Sequence, residues 1–222
     1  EATSASSTEG AVVGASELAF TPGAVRTGDY VLEVGTAGST GLVFQTLLMP
    51  LLLAGGPSRL VLEGGTHNML APPFDFMAKA FVPVVRRMGA QIEMRLVRHG
   101  FYPRGGGRIE VDIVPGTLAP VDCLDRGALL SVSGTALFAA LADNIAEREI
   151  ATARKLLPDW PKDAFAVRQL PEEQGPGNVL LLEAVFDHAS EIVTGFGKLG
   201  VSAESLAKTA AQRMAGFLAS DA

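Results

Sequence analysis

The sequence predicts an α/β (α+β) fold made of two successive strand–helix layers, and three observations carry that prediction. Residues 58–108 read as strand, turn, helix, strand and glycine-rich hairpin. From Ala128 onward the chain reads as strand, helix, three strands and helix, enough for a small layer of its own. Between them, GTLAPVDCLDRG (116–127) is loop-like and the charge changes sign, which divides the chain into residues 1–117 and 118–222.

Taken in order, residues 1–9 are small and polar and predict a frayed segment. Glu17–Phe20 and Asp29–Val34 read as strands, joined by TPGAVRTG with turn chemistry at Pro22 and Gly23. Two short strands do not make a domain, so this opening reads as the end of a unit whose beginning is absent. GTAGSTGLVFQTLLMPLLLAGG (35–56) is a glycine turn feeding a helix that Ser39 or Thr40 can cap. Free N–H groups at such a start suit an anion. The pattern lacks a Walker lysine and dinucleotide spacing, so an ordinary strand-to-helix turn also explains it. The run 42–54 predicts a buried helix, and Gln45 is an amide among its apolar residues. A buried amide without partners costs about 1–3 kcal/mol. Gln45 must then meet a backbone group, the carbonyl freed by Pro50, or a ligand.

In THNMLAPP (66–73), Pro72 and Pro73 stiffen the entry to the helix FDFMAKAFVPVVRRMG (74–89). Asn68 and Asp75 are placed to satisfy N–H groups near its start. A stiff helix entry and the wall of a base-binding pocket both fit these residues. Phe76, Ala80, Phe81 and Val84 recur at helical spacing and predict the core face. QIEMRLVR (91–98) alternates as a strand. RHGFYPRGGG then sets Arg98, His99 and Arg104 around a turn whose glycines allow a bulge or close approach to a ligand. RIEVDIVP (108–115) returns as a strand. In the second half, strands are expected near 128–135, 164–170, 179–186 and 191–196, and helices over 141–157 and 202–220.

Composition narrows the function. Hydrophobic residues make up 48% of the 222, enough for a substantial core. Net charge is −6, which argues against a general nucleic-acid coat. Yet Lys79–Arg108 holds seven basic residues against Glu93 alone. Such a patch can take a phosphate-bearing end, or be a solvated face whose arginines pair with acids elsewhere. No apolar run is long enough to span a bilayer and the start lacks a signal peptide, so no membrane partner is expected. Cys123 is alone, which excludes an intrachain disulfide and fits a cytoplasmic protein. His67, His99 and His188 show no metal-ligand spacing, so no metal cluster and no Ser-His-Asp site is expected. His188 beside Asp187 reads as a surface turn.

GTAGST, LVFQTLL, GGTHNMLAPPFDF, RHGFYPRGGG, AEREIA, QGPGN and the SAE-led last helix, in that order from about Gly10, resemble the RNA 3′-terminal phosphate cyclases. One departure is Met69, where the family usually has proline; it could loosen that turn without moving Pro72. The resemblance implies βαβαββ-type units resembling the C-terminal domain of translation initiation factor three, with a thioredoxin-like α/β domain inserted. Residues 1–117 would be the end of unit one plus unit two. Residues 118–222 would be the inserted domain and the start of the return. The lone cysteine then excludes CxxC chemistry.

The implied activity converts an RNA 3′-phosphate to a 2′,3′-cyclic phosphodiester with ATP and a divalent metal, Mg or Mn, through enzyme–AMP and RNA–AMP. By position, Gln45 matches a glutamine that contacts ATP, and Pro72 a proline beside adenine. Arg98, His99 and Arg104 lie in a family motif, and their charge suggests a hold on RNA phosphate. The family's N-terminal glycine loop and its nucleophilic histidine have no match within these 222 residues, so the chain by itself is expected to be inactive and to supply no catalytic or metal-binding residue. A non-catalytic, cyclase-like RNA- or ribosome-biogenesis protein is the alternative. Oligomeric state is not read from the sequence.

Overall fold

The computed structural model describes residues 3–4 and 6–220. Residues 1, 2 and 5 of the expected frayed segment lie outside the described residues. The rest of that segment is not frayed. β1 (Thr3–Ser4) pairs with β4 (Ala24–Val25), and β2 (Ser7–Glu9) with β3 (Ala19–Thr21), as two small antiparallel ribbons.

The first layer is a four-stranded sheet of order β5-β6-β8-β7, from β5 (Asp29–Glu33), β6 (Ser58–Gly64), β7 (Gln91–Arg98) and β8 (Gly107–Val114). β5 and β6 run parallel, joined through α1 (Thr40–Leu52), and the other pairs are antiparallel. Alternation sends Leu60, Leu62, Ile92, Ile109, Val111 and Ile113 to one face, against Phe44, Leu48, Leu51 and Leu52 of α1. The Ser39 hydroxyl accepts the Leu42 N–H, as its capping role predicts.

The helix after Pro73 differs from expectation. α2 (Phe74–Phe76) passes through a π-helical turn (Met77–Phe81) into α3 (Val82–Arg87). The wider turn holds one extra residue and shifts the helical phase. The buried face is therefore Met77, Val82 and Val85, with Phe76 packed against them as expected, while Phe81 is exposed. Asn68 and Asp75 do not serve the helix start: the Asn68 amide donates to the Ala37 carbonyl, and Asp75 faces His67 and Lys79. Nor is α1 buried all round, since Leu42 and Met49 are exposed.

Residues 115–128 lead to the second layer, a sheet of order β10-β9-β11-β12: β9 (Leu129–Ala139), β10 (Phe165–Gln169), β11 (Gly177–Phe186) and β12 (Ser190–Phe196). One face carries Ala136, Phe138, Leu180 and Leu182 against α4 (Asp143–Leu156) and α5 (Ala203–Leu218). The Ser202 hydroxyl caps α5 by accepting the Ser205 N–H. At the other end of α5, Arg126 donates to the Phe217, Leu218 and Ser220 carbonyls and lies over the Phe186 and Phe217 rings. The opposite sheet face carries Leu137, Ala139, Val179 and Leu181, which pack on Phe101 of the first layer. Among the described residues, no helix is long and apolar enough to cross a membrane.

Candidate active site

Four sequence motifs converge where the two layers meet. At the end of β6, the Thr66 and His67 N–H groups both donate to the Gly100 carbonyl. The Thr66 hydroxyl accepts the Gly100 N–H at 2.9 Å and lies 2.8 Å from His67 Nδ1. A carboxylate only accepts, so Nε2 carries a proton toward Asp75 Oδ2 at 2.9 Å. His67 is 1% exposed and engaged at both nitrogens. Burial pushes the Asp75 carboxyl up, but the His67 hydrogen bond and the nearby positive charges bring it net below its ordinary value.

The histidines, far apart in sequence, are neighbours here: the His67 and His99 rings stack at 5.1 Å, with Phe101 beside them. The His99 backbone N–H and Nδ1 both meet Gln174 Oε1 at 3.1 Å. A carbonyl oxygen only accepts, so Nδ1 carries the proton and Nε2 offers a lone pair. Burial first, then the adjacent His67, pushes the His99 pKa down to about 4, so His99 is neutral at pH 7.

Glycines let the segments approach. A Cβ at Gly105 would collide with the Thr36 carbonyl, which seats the hairpin on the GTAGST turn. A Cβ at Gly177 would strike the Phe101 ring, which seats the QGPGN loop of the second layer on the same hairpin. Between them is a cavity of about 40 Å³ lined in part by His67, Tyr102, Asn178 and Phe196. Asn178 also receives an unusual neighbour. Glu149 is fully buried, accepts from Asn178 Nδ2 at 2.5 Å and leaves Oε2 unpaired. Burial lifts its carboxyl to about 7.

The predicted site residues fall into two groups. Arg98, His99 and Arg104 share the hairpin. Arg98 Nε donates to the Gly106 carbonyl, and Arg104 Nη1 to the Gly175 carbonyl at 3.2 Å. Gln45 and Pro72 sit by the start of α1. A Cβ at Gly41, one turn before Gln45, would collide with the Pro72 carbonyl. Gln45 is exposed, which corrects its expected burial: it has no desolvation cost to repay and its amide is open to solvent.

The basic stretch is not one patch. Lys79 pairs with Glu183 at 2.8 Å and Asp75 at 3.5 Å; Arg86 and Arg87 donate to backbone carbonyls. Arg95 and Arg108 lie on the outer face of the first sheet with Glu110. Sequence reasoning missed Thr66, Gln174, Asn178 and Glu149. QGPGN and AEREIA were visible as motifs, but nothing in their composition said that one reaches His99 and the other Asn178.

A model of the RNA 3′-terminal phosphate cyclase family matches residues 1–211. The chain belongs to this family. Curated cyclases of the family from Pseudomonas fluorescens and Koribacter versatilis are each 47% identical to it, over 96% of this chain and 62% and 60% of their own lengths. The cyclase of Ectopseudomonas mendocina is 45% identical over 99% of this chain and 64% of its own length. The chain thus spans about three fifths of the relatives it matches.

Proposed function

We propose that the intact protein converts an RNA 3′-terminal phosphate to a 2′,3′-cyclic phosphodiester at the expense of ATP, in the cytoplasm. The observation that carries this reading is the hairpin end of the junction between the layers. There, among the described residues, Arg98 and Arg104 donate to backbone carbonyls and to no acid, beside a histidine held neutral. Their charges remain available to a phosphate monoester, which guanidinium binds through paired N–H donors. ATP supplies an AMP leaving group. A histidine takes AMP from the α-phosphate with loss of pyrophosphate, the RNA phosphate takes AMP from the histidine, and the vicinal 2′-OH displaces AMP to close the ring. His67 is not free to be that histidine, being buried and bonded at both nitrogens.

On this reading Gln45 contacts ATP and Pro72 flanks adenine. The open amide of Gln45 and the seating of Pro72 on the same helix start support both. Among the described residues no three His, Cys, Asp or Glu side chains are grouped as a metal ion requires.

Gln45→Ala in the intact protein tests the nucleotide site. ATP affinity should fall while the melting temperature stays put, because an exposed change shifts stability by no more than about 0.5 kcal/mol. A lower melting temperature with unchanged ATP affinity would make Gln45 structural. Labelled ATP tests the reaction: RNA binding without any histidine-linked AMP would return the protein to the non-catalytic alternative.

A further inference from the structure

We propose that Arg168, on the second layer, is a third phosphate-binding cation of this site, so that a 3′-phosphorylated RNA end is gripped from both layers. The inference rests on the RNA-end reading above and extends it to a residue outside every motif quoted for the family. In the parallel pairing of β10 and β9, Arg168 stands opposite Leu137. Paired residues share a sheet face. Leu137 belongs to the apolar cluster that receives Phe101 of the hairpin, and Leu170, two residues beyond Arg168, belongs to it as well. Arg168 therefore lies on the face turned to the hairpin, and it is exposed there. Six residues later the chain reaches Gln174, which holds His99, and then Gly175, which receives Arg104. The positive charge of Arg168 is felt at His99, where it disfavours protonation.

Three other arginines of this layer are committed. Arg126 caps α5, Arg148 pairs with Glu204 at 2.6 Å, and Arg154 lies over the Phe165 ring. Arg168 has no carboxylate partner among the described residues. Arg98, Arg104 and Arg168 thus bring positive charge to a neutral imidazole, and the Asp75 carboxylate also felt there is engaged by His67 and Lys79, which suits the dianionic end of a phosphorylated strand better than a phosphodiester.

Arg168→Ala in the intact protein provides the test, with short oligoribonucleotides ending in 3′-phosphate or 3′-hydroxyl as probes. Loss of one charge-assisted contact should weaken binding of the 3′-phosphate strand roughly tenfold, leave the 3′-hydroxyl strand within about threefold, and flatten the log–log salt dependence by about 0.7. ATP affinity and melting temperature should not change. By NMR the His99 midpoint should rise from about 4 in the variant. Equal losses for the two strands would make Arg168 a general backbone contact and overturn the proposal, as would binding within twofold of wild type. Arg104→Ala, measured in parallel, separates the two levels. If Arg104→Ala loses the 3′-phosphate strand and Arg168→Ala does not, only the two-layer grip fails. If neither loses it, the RNA-end reading fails as well.

Discussion

The outer face of the first sheet and the hairpin end of the junction between layers each hold three arginines, in opposite circumstances. On the sheet, Arg59 stands opposite Asp112, Arg108 opposite Glu63 and Arg95 opposite Glu110. Glu110 also reaches Arg59 at 3.0 Å and Arg108 at 3.2 Å. Hydrogen bonds from these arginines, Arg95 first, hold its carboxyl below the ordinary value. At the hairpin, among the described residues, Arg98 and Arg104 find only carbonyl oxygens and Arg168 pairs with no acid. Opposite charges on neighbouring strands stabilise a sheet by cancelling each other. A cluster left uncancelled contributes nothing to the sheet and leaves a field for an anion. The residue type is the same in both places; the register of the strands decides which use it has.

The largest effect expected comes from an acid without a cation, under α4 of the second layer. Glu149 is buried with one amide partner and no cation, and its carboxyl is lifted from 4.5 to about 7. Between those values the folded chain holds a proton that the unfolded chain has released. Its contribution to stability is thus fullest in acid and is lost as pH rises through about 7, by on the order of 3 kcal/mol. Glu149→Gln should flatten that slope, so that urea melts at pH 5 and pH 8 differ less than in wild type. An unchanged slope would mean that Glu149 is compensated after all, and the contrast would break there.

Next in size is the hairpin itself. Arg98→Ala or Arg104→Ala should cost roughly tenfold in affinity for RNA ending in 3′-phosphate, with less loss for RNA ending in hydroxyl and no change in melting temperature. The smallest effect belongs to the cancelled cluster. Arg95 is largely exposed, so Arg95→Ala should cost less than about 1 kcal/mol in thermal unfolding and leave RNA affinity within about twofold. A selective loss of 3′-phosphate binding in Arg95→Ala would erase the distinction between the two regions.

Much of the architecture was legible because it rests on local periodicity. Alternation marked β6, β7 and β8, and Ser39 and Ser202 marked their helix starts. What failed depended on phase or on distance. The predicted face of Phe76, Ala80, Phe81 and Val84 assumed one helical period, which the π-helical turn interrupts. Gln45 was read as buried because its neighbours are apolar, yet a single helix can leave leucine and methionine in solvent, as Leu42 and Met49 show. Arg98, His99 and Arg104 could be singled out as candidates because they sit together around a glycine-rich turn. Gln174 could not be, since its bond to His99 spans 75 residues. For the charge run 79–108, the alternative of cations paired with acids elsewhere holds for Lys79, Arg95 and Arg108, because strand register and helix packing send the members of the run to different surfaces.

The π-helical turn at Met77–Phe81 also bears on length. Upstream of it, Asp75 meets His67; downstream, Val82 and Val85 enter the core. These two engagements coexist because the segment between them carries one residue more than a regular helix needs. Removing any single residue from 77–81 would leave a plausible helix, yet rotate one end against the other by about 100°. Asp75 or the Val82–Val85 pair would then turn away from its partner. Substitutions along this stretch test one side chain at a time, whereas a deletion changes the count on which the core and the site both depend.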